Sequence, residues 1–223
     1  MHPDWNRISS VFASHGIAVT PSALASVEFS VMRSLDAGEW IRASTDGERV
    51  GQFFERVLRA ATGSAFHGSL QSALAELLRL HAAENLWEAV FEDVVPALER
   101  LRRLGLDIVV LSNANGTVRQ RLARAGLLGW FSHVVDSGEE GVEKPDPRFF
   151  SLSLERAGAD PTTTLHVGDL FEVDVVGARR AGIEAVLIDR AGLQQDRDCP
   201  RYHDLIEVAE ALERRANATP PVP

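Results

Sequence analysis

The sequence predicts an α/β fold: a doubly wound, parallel, Rossmann-like sheet preceded by a bundle of α-helices. Three observations carry this expectation. From about Asp93 onward, short apolar runs alternate with segments of helical spacing, as strand–helix–strand units with right-handed crossovers require. The run Asp107-Ile108-Val109-Val110-Leu111 is apolar almost throughout, which suits a parallel strand covered on both faces. In the first 90 residues, by contrast, apolar residues recur at helical spacing.

The helical part reads as four amphipathic segments. Trp5, Ile8, Val11 and Phe12 mark the first, which Gly16 ends. Thr20-Pro21 supplies a cap and a first helical position for the second, whose stripe is Leu24, Val27, Val31 and Leu35. Val50, Phe53, Phe54, Val57 and Leu58 form the third, stopping near Gly63, and Leu70, Leu74, Leu77 and Leu78 the fourth. Their apolar faces are expected to bury one another in a small bundle.

In the second part, strands are expected at 107–111, 133–136, 163–167 and 185–189, with helices over 94–104, 118–125, 149–157, 173–181 and 205–216. The organisation this implies is a helical domain over 1–90, an α/β core over 91–216 and a disordered tail from 217 to 223.

Composition narrows the class. Apolar residues make up 45% and charged residues 25%, which supports a globular core. The formal charge of −9 argues against a nucleic-acid partner. No run of 18 apolar residues and no leader pattern is read, so no membrane partner is expected. The one cysteine, Cys199, excludes an internal disulfide and suits a reducing cytoplasm. Of the 23 basic residues, 22 are Arg and one, Lys144, is Lys. A chain that writes Arg wherever a surface cation will do keeps its lysine for a site needing a compact ammonium.

Three stretches could carry chemistry. Leu111-Ser112-Asn113-Ala114-Asn115-Gly116 ends a strand before a helix, where a hydroxyl and an amide either donate to a phosphate or cap the helix. In Glu143-Lys144-Pro145-Asp146-Pro147, two prolines stiffen a loop that holds Lys144 where it can neutralise an anion. In Val167-Gly168-Asp169, followed by Asp174, two carboxylates stand across a tight turn. They either solvate and cap a helix start or share a hard cation such as Mg²⁺.

In order and spacing these stretches closely resemble the second, third and fourth motifs of the haloacid dehalogenase superfamily of hydrolases, over roughly residues 86–189. The resemblance implies that family's core fold, with the helical first part similar to its cap and Trp40 and Trp87 near the cap hinges. It implies a Mg²⁺-dependent phosphatase of small phosphorylated metabolites, working through an aspartyl-phosphate. Carried over residue by residue, Ser112 would hydrogen-bond the phosphoryl oxygens with Asn113 beside it. Lys144 would offset charge on nucleophile and phosphate. Asp169 would bind Mg²⁺, while Asp174 would reach the metal shell or hold Lys144. Val173 stands where the family often has Asn, so an amide beside Asp174 is expected to be missing.

The family's first motif, an apolar strand ending in Asp-x-Asp-x-Thr whose first Asp is the nucleophile, has no counterpart here. Asp4 has no apolar strand before it, and Asn6 and Ile8 occupy the motif's other defining places. That strand should lie between those ending at Ser112 and Asp169. Without it, either the two strands close up on each other or the protein is longer than this sequence. The expectation is a longer phosphatase of which the 223 residues are an inactive remnant. The alternative is a complete, non-catalytic phosphate-binding or interaction protein. Haloacid dehalogenation, a third reading, needs the same missing Asp and no Mg²⁺.

Overall fold

The computed structural model describes residues 1–36, 41, 44, 46–63 and 67–218. Trp40 lies outside the described residues, as does 219–223 of the expected tail. The chain divides into two units, Met1–Ala89 and Val90–Pro223.

The first unit holds α1 (Trp5–Ser14), α2 (Pro21–Leu35), α3 (Asp46–Thr62) and α4 (Leu70–Glu84). Asp4 starts α1 by accepting from the backbone N–H groups of Asn6 and Arg7 at 3.0 and 3.2 Å. It is a helix cap, the ordinary role of a carboxylate at that position. Thr20 and Ser69 cap α2 and α4 in the same way. Ile8, Phe12, Leu24, Phe54, Val57, Leu58 and Leu77 form a core sealed from solvent. Leu78, expected on the buried stripe of α4, is 38% exposed, because Ala73 and Leu77 define the inward line. A short antiparallel ribbon that periodicity could not reveal joins β1 (His2–Pro3) to β2 (Trp87–Ala89).

The second unit is α/β. Its β3 (Val109–Ser112) pairs in parallel with β4 (His133–Asp136), Ser112 standing opposite Asp136. A second parallel set joins β5 (Leu165–Gly168) to β6 (Glu184–Ile188) and β6 to β7 (Arg201–Tyr202). Around them run α5 (Val94–Arg103), α6 (Val118–Arg124), α7 (Ser137–Glu140), α8 (Pro147–Ala157), α9 (Val176–Arg180) and α10 (Leu205–Ala218). The last helix thus continues two residues past the end expected at 216.

Among the described residues β3 and β5 share no ladder, so the parallel sheet stands in two pieces. The two strands have not closed up on each other. Burial marks the break as well: every residue of β3 and β5 is only half-buried, whereas β4 and β6 each bury three in a row. In a doubly wound sheet the inner strands are ordinarily the covered ones. Helix α8 spans the break. Its fully buried Phe150 packs with Val175, Ala178, Ile183 and Leu187, and Leu111 of β3 joins the same cluster. The Phe150 ring also stands 5.1 Å from the His166 ring of β5, edge to face. Gly177 makes room for it, since a Cβ there would lie 2.7 Å from the ring.

Phe150→Ala would remove the one large side chain common to these contacts. It is expected to cost about 3–5 kcal/mol of unfolding free energy, measured by urea denaturation. A loss under about 1 kcal/mol, well below that range, would show that the two sheet pieces do not depend on it.

Candidate functional site

Chain folding brings the expected residues to the carboxyl ends of β3 and β5, the end where loops of an open parallel sheet collect ligands. Ser112 closes β3, and its hydroxyl makes only a long 3.5 Å contact with the Asn113 carbonyl. Such a distance leaves it available to a ligand. The next side chain is engaged. Asn113 Oδ1 accepts from the backbone N–H of Lys144 at 2.7 Å, and its Nδ2 donates to the Lys144 carbonyl at 2.9 Å. Asn113, expected beside the phosphoryl oxygens, therefore uses its amide to anchor the Lys144 main chain, whose peptide to Pro145 is cis.

The loop after Ser112 is held from the end of β4 and the start of α7. Asp136 is buried, and its carboxylate accepts from the backbone N–H groups of Gly116, Val118 and Gly138 at 2.9 to 3.1 Å. Ser137 Oγ accepts from Ala114 N–H at 2.9 Å. The start of α6 is thus capped from a distance, and neither Ser112 nor Asn113 caps it. Gly138 permits this approach, because a Cβ would fall 2.6 Å from the Gly116 nitrogen. Asp136 and Ser137 escaped sequence reasoning; the only trace was an Asp-Ser-Gly at a strand end, a common helix-start signal.

Lys144 reaches across to the other piece of sheet, where its Nζ donates to Asp174 Oδ1 at 2.7 Å. Asp174 sits on a π-helical turn, Phe171–Val175, and is only 2% exposed. His166 Nε2 lies 3.2 Å from the same Oδ1 and must carry the proton, since an ionised carboxylate only accepts. Oδ2 accepts from the backbone N–H groups of Asp169 and Leu170 at 3.1 and 3.0 Å. Burial alone would raise this carboxyl, but the Lys144 charge and the His166 hydrogen bond hold it far below the ordinary range. Of the two roles foreseen for Asp174, this geometry matches the one that holds Lys144. Val173 is buried in the core, so the residue before Asp174 offers no amide to the site. Gly168 has to be glycine, because a Cβ would collide with the Asp174 side chain.

Asp169 differs from its neighbour. By area the residue is exposed, yet crowding desolvates its carboxyl. That desolvation and the like charge of Asp174 push it above the ordinary range, with Lys144 pulling the other way. No neighbouring side chain among the described residues hydrogen-bonds it. Two carboxylates, Asp169 and Asp174, stand beside the Lys144 ammonium, and their charge opposes that of a phosphate dianion. Among the described residues no group of three or more His, Cys, Asp or Glu side chains is placed to hold a metal ion by itself. Mg²⁺ does not need such a cage, being held by one or two carboxylates, waters and a substrate phosphate.

A family model described as haloacid dehalogenase-like hydrolase matches residues 18–182. The chain belongs to the haloacid dehalogenase-like hydrolases. Among relatives, a phosphoserine phosphatase of Thermus thermophilus is 38% identical over 184 residues, 78% of this chain and 73% of that protein. A glyceraldehyde 3-phosphate phosphatase of Methanopyrus kandleri is 34% identical over 131 residues, 58% of this chain and 55% of that one. Toward the latter and others like it, the chain spans little more than half of the relative's length. The HAD-hydrolase YfnB of Bacillus subtilis, solved bound to magnesium, shares the fold with a TM-score of 0.69 at 18% identity, covering 94% of this chain and 93% of that one. Among the described residues no helix is long and apolar enough to cross a membrane.

In this member of the family, breaking the Asp174 pair leaves a nearly buried ammonium uncompensated. Asp174→Ala is expected to cost about 3–5 kcal/mol of stability, read from urea unfolding at pH 7. The acid limb gives the sign. A carboxyl lowered in the folded state stabilises above its unfolded pKa of about 3.9, and that stability drains away as pH falls below it. Wild type should therefore lose stability below about pH 4 more steeply than the variant does; parallel curves would contradict the pairing.

Proposed function

We propose that these residues are the phosphate- and Mg²⁺-binding part of a phosphatase that acts on small phosphorylated metabolites. The observation that supports this most is the fixing of Lys144. Its main chain is held by Asn113 and its ammonium by Asp174, and the hydroxyl of Ser112, one residue before Asn113, is left open. One compact positive charge and one hydroxyl, both placed in advance, suit a phosphoryl group. Phosphoserine and glyceraldehyde 3-phosphate, named for two relatives, support small phosphomonoesters as the substrate class. The helical domain expected over 1–90 serves in this reading as the cap that selects among them.

Asp169 fits Mg²⁺: a hard oxygen donor with no competing side-chain partner, raised by its neighbours and relieved by a cation. When bound, the ion neutralises phosphate charge. Ser112 then orients the phosphoryl oxygens, Lys144 carries the remaining positive charge, and Asp174 keeps Lys144 in place. None of the three carboxylates Asp4, Asp169 and Asp174 is a nucleophile in this reading. Asp169 holds the cation, Asp174 has all its lone pairs engaged, and Asp4 caps α1. The break between β3 and β5 supports a protein whose attacking carboxylate comes with a further strand, the 223 residues binding phosphate without turning it over. The same break is compatible with a phosphate-binding protein that never attacks. An in-frame apolar run ending in Asp-x-Asp-Gly-Thr ahead of the Met1 codon supports the first; a stop codon there supports the second.

Calorimetry with inorganic phosphate tests the binding reading. Affinity should rise when Mg²⁺ is added, and Lys144→Arg should lower it about tenfold, because a planar fork does not replace a compact ammonium. Release of product from an aryl phosphate should be absent. Unchanged affinity in Lys144→Arg would contradict the role of the ammonium, and turnover abolished by Asp4→Ala would contradict the helix-cap role of Asp4.

A further inference from the structure

Gln194 lies in the loop after β6, outside every motif named above. Asp189, itself buried, builds that loop: its two carboxylate oxygens accept from the backbone N–H groups of Leu193 and Gln194, both at 2.9 Å. Gly192 makes the turn possible with a φ of +66°. The result delivers the Gln194 side chain, only 7% exposed, to the main chain of Asp169, where Nε2 donates to the Asp169 carbonyl at 3.3 Å. An atom facing a carbonyl has to be the donor, so this contact fixes Oε1 as the other end of the amide. Oε1 is buried and accepts from nothing among the described residues. A buried acceptor without a donor is unfavourable, and a fold retains one where a ligand or ordered water completes it. Asp169 is thereby clamped on both sides of its backbone, N–H to Asp174 and C=O to Gln194, while no side chain among the described residues hydrogen-bonds its carboxylate.

We propose that Gln194 is a positioning residue for the cation: Nε2 sets Asp169, and Oε1 accepts a hydrogen bond from a water in the hydration shell of Mg²⁺ held there. The assignment rests on the reading of Asp169 as the cation ligand. Mg²⁺ dehydrates reluctantly and keeps several waters, each of which needs an acceptor. Outer partners of that kind commonly contribute tenfold or more to metal affinity.

Isothermal titration of Mg²⁺ alone into the full chain tests it without reference to activity. Gln194→Leu should bind Mg²⁺ about tenfold more weakly than wild type, with a metal-free unfolding midpoint close to that of wild type. Gln194→Glu loses the donor to Asp169 but keeps acceptor oxygens, and should bind at least as tightly as wild type. Wild-type affinity in Gln194→Leu would overturn the proposal and leave Asp169 as ligand untouched. A Gln194→Glu protein as weak as Gln194→Leu would overturn the acceptor role, leaving only a brace. Absence of Mg²⁺ binding by wild type would overturn this proposal and the reading of Asp169 together.

Discussion

Burying a carboxylate is unfavourable unless donors meet its lone pairs, and Asp174 meets that condition with four. Lys144 and His166 share one oxygen; the backbone N–H groups of Asp169 and Leu170 share the other. The four partners come from three parts of the site. Lys144 comes from the loop ahead of α8, His166 from inside β5, and Asp169 and Leu170 from the turn that follows it. Remove the carboxylate and the lysine loses its counter-charge while the turn loses its internal template. The rest of the cluster is legible as support for this one group: Gly168 leaves space for it, and Asn113 fixes the backbone from which Lys144 reaches it.

The same group couples the two pieces of sheet. No ladder runs between β3 and β5, so their ends are related through side chains. Asn113 at the end of β3 binds the Lys144 main chain, and Lys144 binds Asp174 beyond the end of β5. On one face of the sheet, Phe150 makes the corresponding apolar bridge between Leu111 and His166. Buried polar networks of this sort specify one arrangement only when every member is satisfied. Asp174 is satisfied in full, whereas Gln194 Oε1 is not, and that contrast separates the structural part of the cluster from the part that awaits a ligand.

Much of this was readable in the sequence, for identifiable reasons. Alternation of apolar runs with helical spacing exposes an α/β sheet because both periods are local. The solitary lysine stood out because composition made it improbable as a surface cation. The spacing predicts a regular helix over 173–181, whereas Phe171–Val175 is a π-helical turn that seats Asp174 against Gly168, a contact with no local period. β1, β2 and β7 have two or three residues each, too few to show alternation. Asn113 was assigned to phosphate because its partner lies 31 residues away. His166, Asp136 and Gln194 were missed for the same reason: their meaning lies in contacts across the sheet, which no spacing rule reports.

Because Lys144 is the single lysine, lysine-selective ¹⁵N labelling yields one side-chain ammonium signal and needs no assignment. Its proton-detected NMR spectrum tests most directly whether Asp174 holds that ammonium in place before any ligand arrives. A slowly exchanging, hydrogen-bonded ammonium resonance at neutral pH, lost in Asp174→Asn and shifted by added phosphate, is the predicted result. A signal broadened by rapid exchange with water, indifferent to Asp174→Asn, would contradict the account.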